Sequence, residues 1–132
     1  MNRFNKFITK GINEPLTKLP FHKSAPIERF LMLNNELMPN CNTHIAVHFI
    51  KNLPDKIEPY SELHQHNFDE INLVLSDNDT LVYRIKLEDE TYEVSSPSSI
   101  FIPKGTTHSA EVVSGTGVFV CIGLTNKYVS SK

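Results

Sequence analysis

The sequence has 132 residues, of which 39% are hydrophobic and 21% are charged, and its formal net charge is −2 at pH 7. This length predicts one domain with its own core, since a typical domain holds about 100–150 residues. The composition excludes a disordered chain, and the slightly acidic charge argues against the basic surface of a sequence-independent nucleic-acid binder. The six histidines are the most informative part of the composition, because histidine is the commonest metal-binding side chain.

The first 26 residues are predicted to form an irregular N-terminal arm. They combine Pro15, Pro20 and Pro26 with polar residues and show no sustained hydrophobic period. The segment lacks the apolar stretch of a secretory signal, and no apolar run in the chain approaches the ~18 residues of a membrane span. We therefore expect a cytoplasmic protein with no membrane partner, in which Cys41 and Cys121 are reduced thiols.

Residues 27–132 are predicted to form one all-β domain. Strand candidates lie at 44–51, 70–76, 81–87, 91–94, 99–103, 108–113 and 118–124. The segment 26–37 fits a helix or a strand equally well. The turn at 76–79 is rich in Asp and Asn, which tolerate left-handed backbone conformations. Short strands without long crossover helices predict a small antiparallel barrel.

Two short motifs place metal-binding side chains at fixed spacings. His64 and His66 are two residues apart, so that on a strand both rings lie on one face, and Glu70 has the same parity. A Pro-Lys-Gly turn at 103–105 then leads to His108 at the start of the next strand candidate. Three imidazoles and one carboxylate that meet inside a barrel would suit a divalent transition metal better than calcium or magnesium. Two solvent-exposed histidines beside an acidic turn remain the alternative explanation of the first motif.

The order and spacing of these motifs, HxHxxxE followed by PxGxxH, resemble the two conserved motifs of the cupin superfamily. The resemblance implies a double-stranded β-helix, or jelly-roll barrel, with His64, His66, Glu70 and His108 in the metal-ligand positions. Several glycines that usually begin or end the cupin motifs are replaced here, but all four ligand positions are retained. The expected cofactor is one divalent transition metal ion: Fe, Ni, Mn, Zn or Cu.

The remaining histidines are expected to lie away from this site. His44 and His48 share one face of the strand at 44–51, and the apolar residues between them are predicted to face the barrel interior. That alternation leaves the two histidines outside or at a subunit contact, although an acid–base or substrate-binding role is open if their face looks inward. His22 lies in the arm without an informative neighbour.

A few further residues are candidates for substrate contact. Tyr60 precedes His64 with the same parity, and Asn72 continues the face of Glu70, so we predict that both are substrate-binding residues. Tyr83 is the third such candidate, because alternation turns it inward and its neighbour Arg84 outward. An inward Arg84 would instead offer a clamp for a carboxylate or phosphate. Cys121 is expected to be a small core residue.

Two classes of function are compatible with the motifs. By its resemblance to cupins, the chain is a metal-dependent enzyme of the dioxygenase, isomerase, epimerase or lyase type that acts on a small organic metabolite. The alternative is a non-catalytic module that binds a sugar or another metabolite. A structural zinc site is a weaker third possibility, because neither cysteine falls in a motif. The resemblance also implies a homodimer, for which the apolar segment 29–33 is a candidate interface.

Overall fold

The computed structural model describes residues 3–77 and 79–132 and is built almost entirely of β-strands. The segment that fits either a helix or a strand forms a strand. Most predicted strand bounds agree with the structure to within one residue. The strands are β1 (Ile12–Asn13), β2 (Glu28–Leu33), β3 (His44–Ile50), β4 (Glu70–Leu75), β5 (Val82–Leu87), β6 (Glu90–Ser95), β7 (Ser98–Ile102), β8 (His108–Ser114) and β9 (Gly117–Gly123). None of the helices in the described residues has the length and apolar character needed to cross a bilayer.

The strands form two antiparallel sheets, as expected for a jelly roll. The larger sheet has the order β1-β2-β3-β9-β4-β7 and the smaller one the order β6-β5-β8. Continuous strand pairing does not close the two sheets into one barrel. An isolated bridge between His64 and His108 links the segment between β3 and β4 to β8, with mutual backbone hydrogen bonds of 3.0 and 2.8 Å. This bridge lies at the site described below.

The hydrophobic core lies between the inner faces of the two sheets. Ile50 and Phe119 come from the larger sheet, and Tyr83, Ile85 and Val112 come from the smaller one. Tyr83 stacks on Phe119 with ring centroids 4.2 Å apart. The inward direction of Tyr83 agrees with the predicted alternation, and the Arg84 side chain is 41% exposed.

The orientation of β3 is opposite to the prediction. His44, Ala46, His48 and Ile50 are buried, whereas Ile45, Val47 and Phe49 are only half-buried on the outer face. The alternation in the sequence was interpreted correctly, but the apolar set was assigned to the wrong side. The outer face accepts these apolar residues because the neighbouring strands β9 and β4 also present apolar side chains there.

The N-terminal arm has more regular structure than predicted. It contains two single turns of 3-10 helix, Asn5–Phe7 and Leu16–Lys18, and β1 pairs with β2 at the edge of the larger sheet. Leu16 is 4% exposed and belongs to the core. Residues 1 and 2 of the predicted arm and Asn78 of the predicted turn at 76–79 lie outside the described residues.

Candidate metal centre

Three buried imidazoles meet where the segment between β3 and β4 pairs with the start of β8. His64, His66 and His108 are each no more than 4% exposed. One ring nitrogen of each lies within 4.8 Å of the others, so the group could hold a metal ion. The three ring centroids are 4.6–5.1 Å apart. The structure therefore brings together the three histidines of both sequence motifs.

The backbone that carries these histidines is not the strand that the sequence suggested. His64 and Gln65 lie in isolated bridges, His64 with His108 and Gln65 with Ser131, rather than in a continuous strand. Both histidines of the first motif still point inward because the segment is locally extended. Gly105, with a φ of +80°, provides the left-handed turn before His108, and its N–H donates to the carbonyl of His66 at 2.8 Å.

Backbone carbonyls fix the tautomer of all three rings. Nδ1–H of His64 donates to the carbonyl of Glu62 at 2.7 Å, and Nδ1–H of His108 donates to the carbonyl of Thr106 at 2.9 Å. His66 makes the equivalent bond to the carbonyl of Val129 at 2.8 Å. Because a neutral imidazole carries only one proton, each Nε2 is left with a free lone pair. This is the arrangement that holds histidine ligands in metal sites.

Glu70 completes the group with a buried carboxylate. Its Oε1 lies 3.1 Å from His66 Nε2, and its Oε2 lies 3.8 Å from His108 Nε2. Burial opposes ionisation of Glu70, but the close approach of His66 and the other nearby polar groups lower the pKa of the carboxyl to about 2. Asn72 donates from Nδ2 to Glu70 Oε2 at 2.9 Å and thereby orients the carboxylate.

These contacts fit a bound cation. His66 Nε2 lies 3.1 Å from Glu70 Oε1, and a cation between these two atoms would stabilise such a close approach. His108 Nε2 is buried with no hydrogen-bond partner among the described residues. Burial lowers the pKa of His64 to about 4 and also lowers that of His108, so both rings are neutral and able to bind a metal at pH 7.

The C-terminal segment contributes a tyrosine that sequence reasoning missed. Tyr128 follows β9, and its hydroxyl donates to Glu70 Oε1 at 3.2 Å and lies 3.3 Å from His66 Nε2. Burial raises the pKa of the phenol, which therefore stays protonated. The ring stacks on His44 with centroids 4.2 Å apart. No motif marks Tyr128, because only the return of the C-terminal segment brings it to the site.

A cavity of about 40 Å³ is lined by His64, Glu70 and His108 of the site, and the arm forms part of its wall. Leu16, Leu19 and His22 line it from the arm. The prediction for His22 is therefore corrected, because its ring packs edge-on against His64 with centroids 5.2 Å apart. The cavity holds about three water-sized groups, since one water needs roughly 10–15 Å³ measured this way.

The cavity wall also carries an arginine from the apolar segment 29–33. Arg29 of β2 is 2% exposed and points inward beside His48. Its Nε–H donates to His48 Nε2 at 3.2 Å, and Nη1 donates to the carbonyl of Glu14 at 3.1 Å and to its carboxylate. The alternation of ERFLML, which puts Arg29 on the face of Leu31, was the available signal.

The three predicted substrate-binding residues have different positions. Tyr60 lines the cavity, although its hydroxyl is already bonded to the Val112 N–H at 2.8 Å. Asn72 lies behind Glu70, as described above. Tyr83 lies in the hydrophobic core and is not among the residues that line the cavity. Cys121 is half-buried, packs against the core and reaches the cavity wall, and burial raises the pKa of its thiol.

Comparisons with known proteins show where this fold occurs. No protein-family model and no curated protein sequence matches the chain. Among solved structures, a cupin 2 conserved barrel domain protein from Rhodopseudomonas palustris is similar, with a TM-score of 0.58, 15% identity and coverage of 94% of this chain and 75% of that one. The polyketide cyclase RemF from Streptomyces resistomycificus has a TM-score of 0.61 and 18% identity, over 99% of this chain and 84% of its own.

A third similar structure is Bacillus subtilis oxalate decarboxylase, a protein with Mn(II) centres. It has a TM-score of 0.58 and 14% identity, over 92% of this chain and 31% of its own. At these identities the likeness is one of fold, and it agrees with the two antiparallel sheets described above. The chain therefore has the cupin fold.

Proposed function

We propose that the chain binds one divalent transition metal ion through His64, His66 and His108, with Glu70 as the fourth ligand. The observation that carries this proposal is that ring nitrogens of three buried histidines lie within 4.8 Å of one another, with the Glu70 carboxylate beside His66 and His108. In each ring the backbone holds the proton on Nδ1. Nitrogen-rich sites with one carboxylate suit Fe, Ni, Mn, Zn or Cu.

We further propose that the site is catalytic and acts on a small organic metabolite. A metal ion bound there would polarise a substrate oxygen as a Lewis acid or serve in oxygen chemistry. The chain's own residues supply the rest of the site. Asn72 and Tyr128 orient the Glu70 carboxylate, and the arm and the C-terminal segment shield the cavity from bulk water. A dioxygenase, isomerase, epimerase or lyase reaction fits this arrangement.

The first test is metal binding by chelator-treated protein. We expect calorimetry with Mn²⁺, Fe²⁺, Ni²⁺, Zn²⁺ and Cu²⁺ to show one ion per chain. His108→Ala should weaken binding by about 100-fold or more, because it removes a ligand. His22→Ala is the matched control, since His22 lines the same cavity but is not one of the three converging rings. Absence of binding for every ion, or equal binding by wild type and His108→Ala, would refute the metal site.

The second test separates an enzyme from a binding module. The metal-loaded protein is assayed for turnover of a panel of small hydroxy, keto and sugar acids. Turnover that disappears in His64→Ala and His108→Ala supports catalysis, whereas turnover that persists in both variants contradicts it. Metal-dependent ligand binding without turnover would identify the chain as a non-catalytic module.

We also propose a homodimer, through a surface to which the predicted segment 29–33 contributes only Phe30 and Leu33. Arg29 and Leu31 of that segment point inward. The outer face of the larger sheet is instead almost entirely apolar. This outer face carries Phe30, Leu33, Ile45, Val47, Phe49, Ile71, Leu73, Leu75, Phe101, Val118, Val120 and Ile122.

A second copy of the chain is the partner that fits this outer face. Five strands spaced by about 4.8 Å and roughly 20 Å long cover about 500 Å². Two such faces would bury about 1,000 Å², the lower bound for a specific interface. The charges beside the face are Glu28, which pairs with Phe49, and Lys51, which lies 5.8 Å from the Phe49 ring. They have opposite signs, so two identical faces can meet without net repulsion.

Sedimentation or light scattering tests the homodimer. The wild type should have twice the 15.0 kDa mass of one chain. Val120→Asp, in the middle of the outer face, should give a monomer with intact metal binding. Thr91→Asp is the control, because Thr91 is exposed on the smaller sheet. A monomeric wild type at every concentration, or a dimeric Val120→Asp, would contradict the proposal.

A further inference from the structure

Arg29 and His48 form a polar wall in the cavity that the metal site does not use. We propose that these two residues anchor the carboxylate group of a small ligand. This inference rests on the proposed function, because His64, Glu70 and His108 of the proposed metal site line the same cavity. Arg84, the arginine considered from the sequence as a carboxylate clamp, lies on the outside, and Arg29 takes its place.

His48 offers a hydrogen-bond donor without an acceptor. Its Nε2 accepts the Nε–H of Arg29, so Nε2 carries no proton. The neutral ring must therefore carry its proton on Nδ1. Nδ1 is buried and has no hydrogen-bond partner among the described residues. A buried donor without an acceptor is unfavourable by about 1–3 kcal/mol, so a ligand oxygen that accepts from Nδ1 would be stabilised.

Arg29 is held rigidly beside this donor. Hydrogen bonds within the described part of the chain account for its Nε–H and for both hydrogens of Nη1. They leave the two hydrogens of Nη2 for a ligand. Because Arg29 is 2% exposed and fixed at two of its nitrogens, little side-chain entropy is lost when it binds an anion.

The charge of the cavity also favours an anion. Arg29 is paired with Glu14, so these two charges cancel. A divalent metal ion beside the Glu70 carboxylate leaves one net positive charge. His48 does not add to it, because burial lowers the pKa of this ring to about 3. One carboxylate would therefore neutralise the metal-loaded cavity.

The size of the cavity matches such a group. A volume of about 40 Å³ holds roughly three water-sized groups, which is the number of heavy atoms in a carboxylate. Because the carboxylate alone fills this volume, the ligand class is a short-chain carboxylic, hydroxy or keto acid of which only the carboxylate end occupies the cavity. A bulky neutral metabolite would fill the same space without an acceptor for His48 and Arg29.

The experiment compares pyruvate with pyruvamide, which has nearly the same shape but no charge. Calorimetry measures both ligands on zinc-loaded and metal-free protein, so the readout is binding rather than activity. We expect zinc-loaded wild type to bind pyruvate at least about tenfold more tightly than pyruvamide, because charge-assisted hydrogen bonds are the stronger ones. Arg29→Gln should remove this preference.

Two further variants keep the test interpretable. Arg84→Gln, which removes an arginine outside the cavity, should bind pyruvate within about twofold of wild type. His48→Phe keeps an aromatic ring against Phe119 and leaves the Arg29 pair with Glu14 in place, and it should weaken pyruvate binding about fivefold. Thermal unfolding checks that each variant is folded. If Arg29→Gln does not fold, His48→Phe decides the outcome.

The results separate this inference from the metal proposal. The carboxylate anchor is wrong if zinc-loaded wild type binds pyruvate no more tightly than pyruvamide. It is also wrong if wild type, Arg29→Gln and His48→Phe bind pyruvate with equal affinity. In both cases the metal site stands, because the protein holds zinc. If no metal binds, the proposed function fails. In that case pyruvate binding to the metal-free protein is compared between wild type and Arg29→Gln. Weaker binding by Arg29→Gln would support the carboxylate anchor alone. Equal binding would refute both the carboxylate anchor and the metal site.

Discussion

The two inward-facing histidines of β3 should make the stability of the protein depend on pH. Burial lowers the pKa of His44 to about 4 and that of His48 to about 3, while an unfolded chain restores the ordinary value of about 6.5. Because the folded pKa lies below the unfolded one, the neutral rings contribute full stability above pH 6.5. That stability is lost as pH falls from 6.5 towards 4.

The size of the loss follows from proton linkage. Between pH 7 and pH 5.5 the unfolded chain takes up about 0.7 proton per histidine, whereas the folded chain takes up almost none. Each ring therefore lowers the free energy of unfolding by about 1.2 kcal/mol over this range, and the two together lower it by about 2.5 kcal/mol.

Urea unfolding of chelator-treated protein at pH 7 and pH 5.5 measures this loss. Between pH 7 and pH 5.5, the free energy of unfolding should fall by about 2.5 kcal/mol less in the double variant His44→Phe/His48→Phe than in wild type. Its stability at either single pH also reflects packing, so only the difference between the pH values is compared. His22→Gln is the control. Because His22 is only half-buried, this substitution should alter the pH-dependent decrease in unfolding free energy less than the double variant does.

A double variant with the same pH dependence as wild type, within about 0.5 kcal/mol, would refute this reasoning. It would mean that the two rings are protonated in the folded protein at pH 5.5. The bond from Arg29 to His48 Nε2 would then have to be broken, because a protonated Nε2 cannot accept it.

Three further changes test other parts of the structure. Ile85→Ala, in the core, should lower the free energy of unfolding by about 2–5 kcal/mol in urea titrations, because it leaves a cavity. Glu111→Gln should lower it by about 1–2 kcal/mol, since the Glu111 carboxylate accepts the backbone N–H groups of residues 60 and 61 at 2.6 and 3.0 Å; unchanged stability would contradict that role. Tyr128→Phe should leave the fold intact but weaken metal binding by about tenfold in calorimetry, because Glu70 loses a donor. An affinity equal to wild type would show that Tyr128 does not position the carboxylate.

The outcome for β3 shows why part of the fold could not be predicted. Alternation with a period of two established that His44 and His48 share one face. It did not establish which face is inside, because the opposite set, Ile45, Val47 and Phe49, is apolar and would suit a core equally well. The decision came from pairing with β2 and β9, which places His48 beside Arg29 and Phe119.

The sequence alone determined the elements of the candidate site that are close along the chain. The spacing of His64, His66 and Glu70, and the glycine turn before His108, are short-range features, and local backbone geometry was enough to predict which side chains point together. Only the tertiary structure brought in the distant parts. Arg29 comes from β2, and Tyr128 comes from the segment after β9. Contacts between such separated residues depend on how the whole chain packs, because a period along one strand contains no information about its neighbour across the cavity.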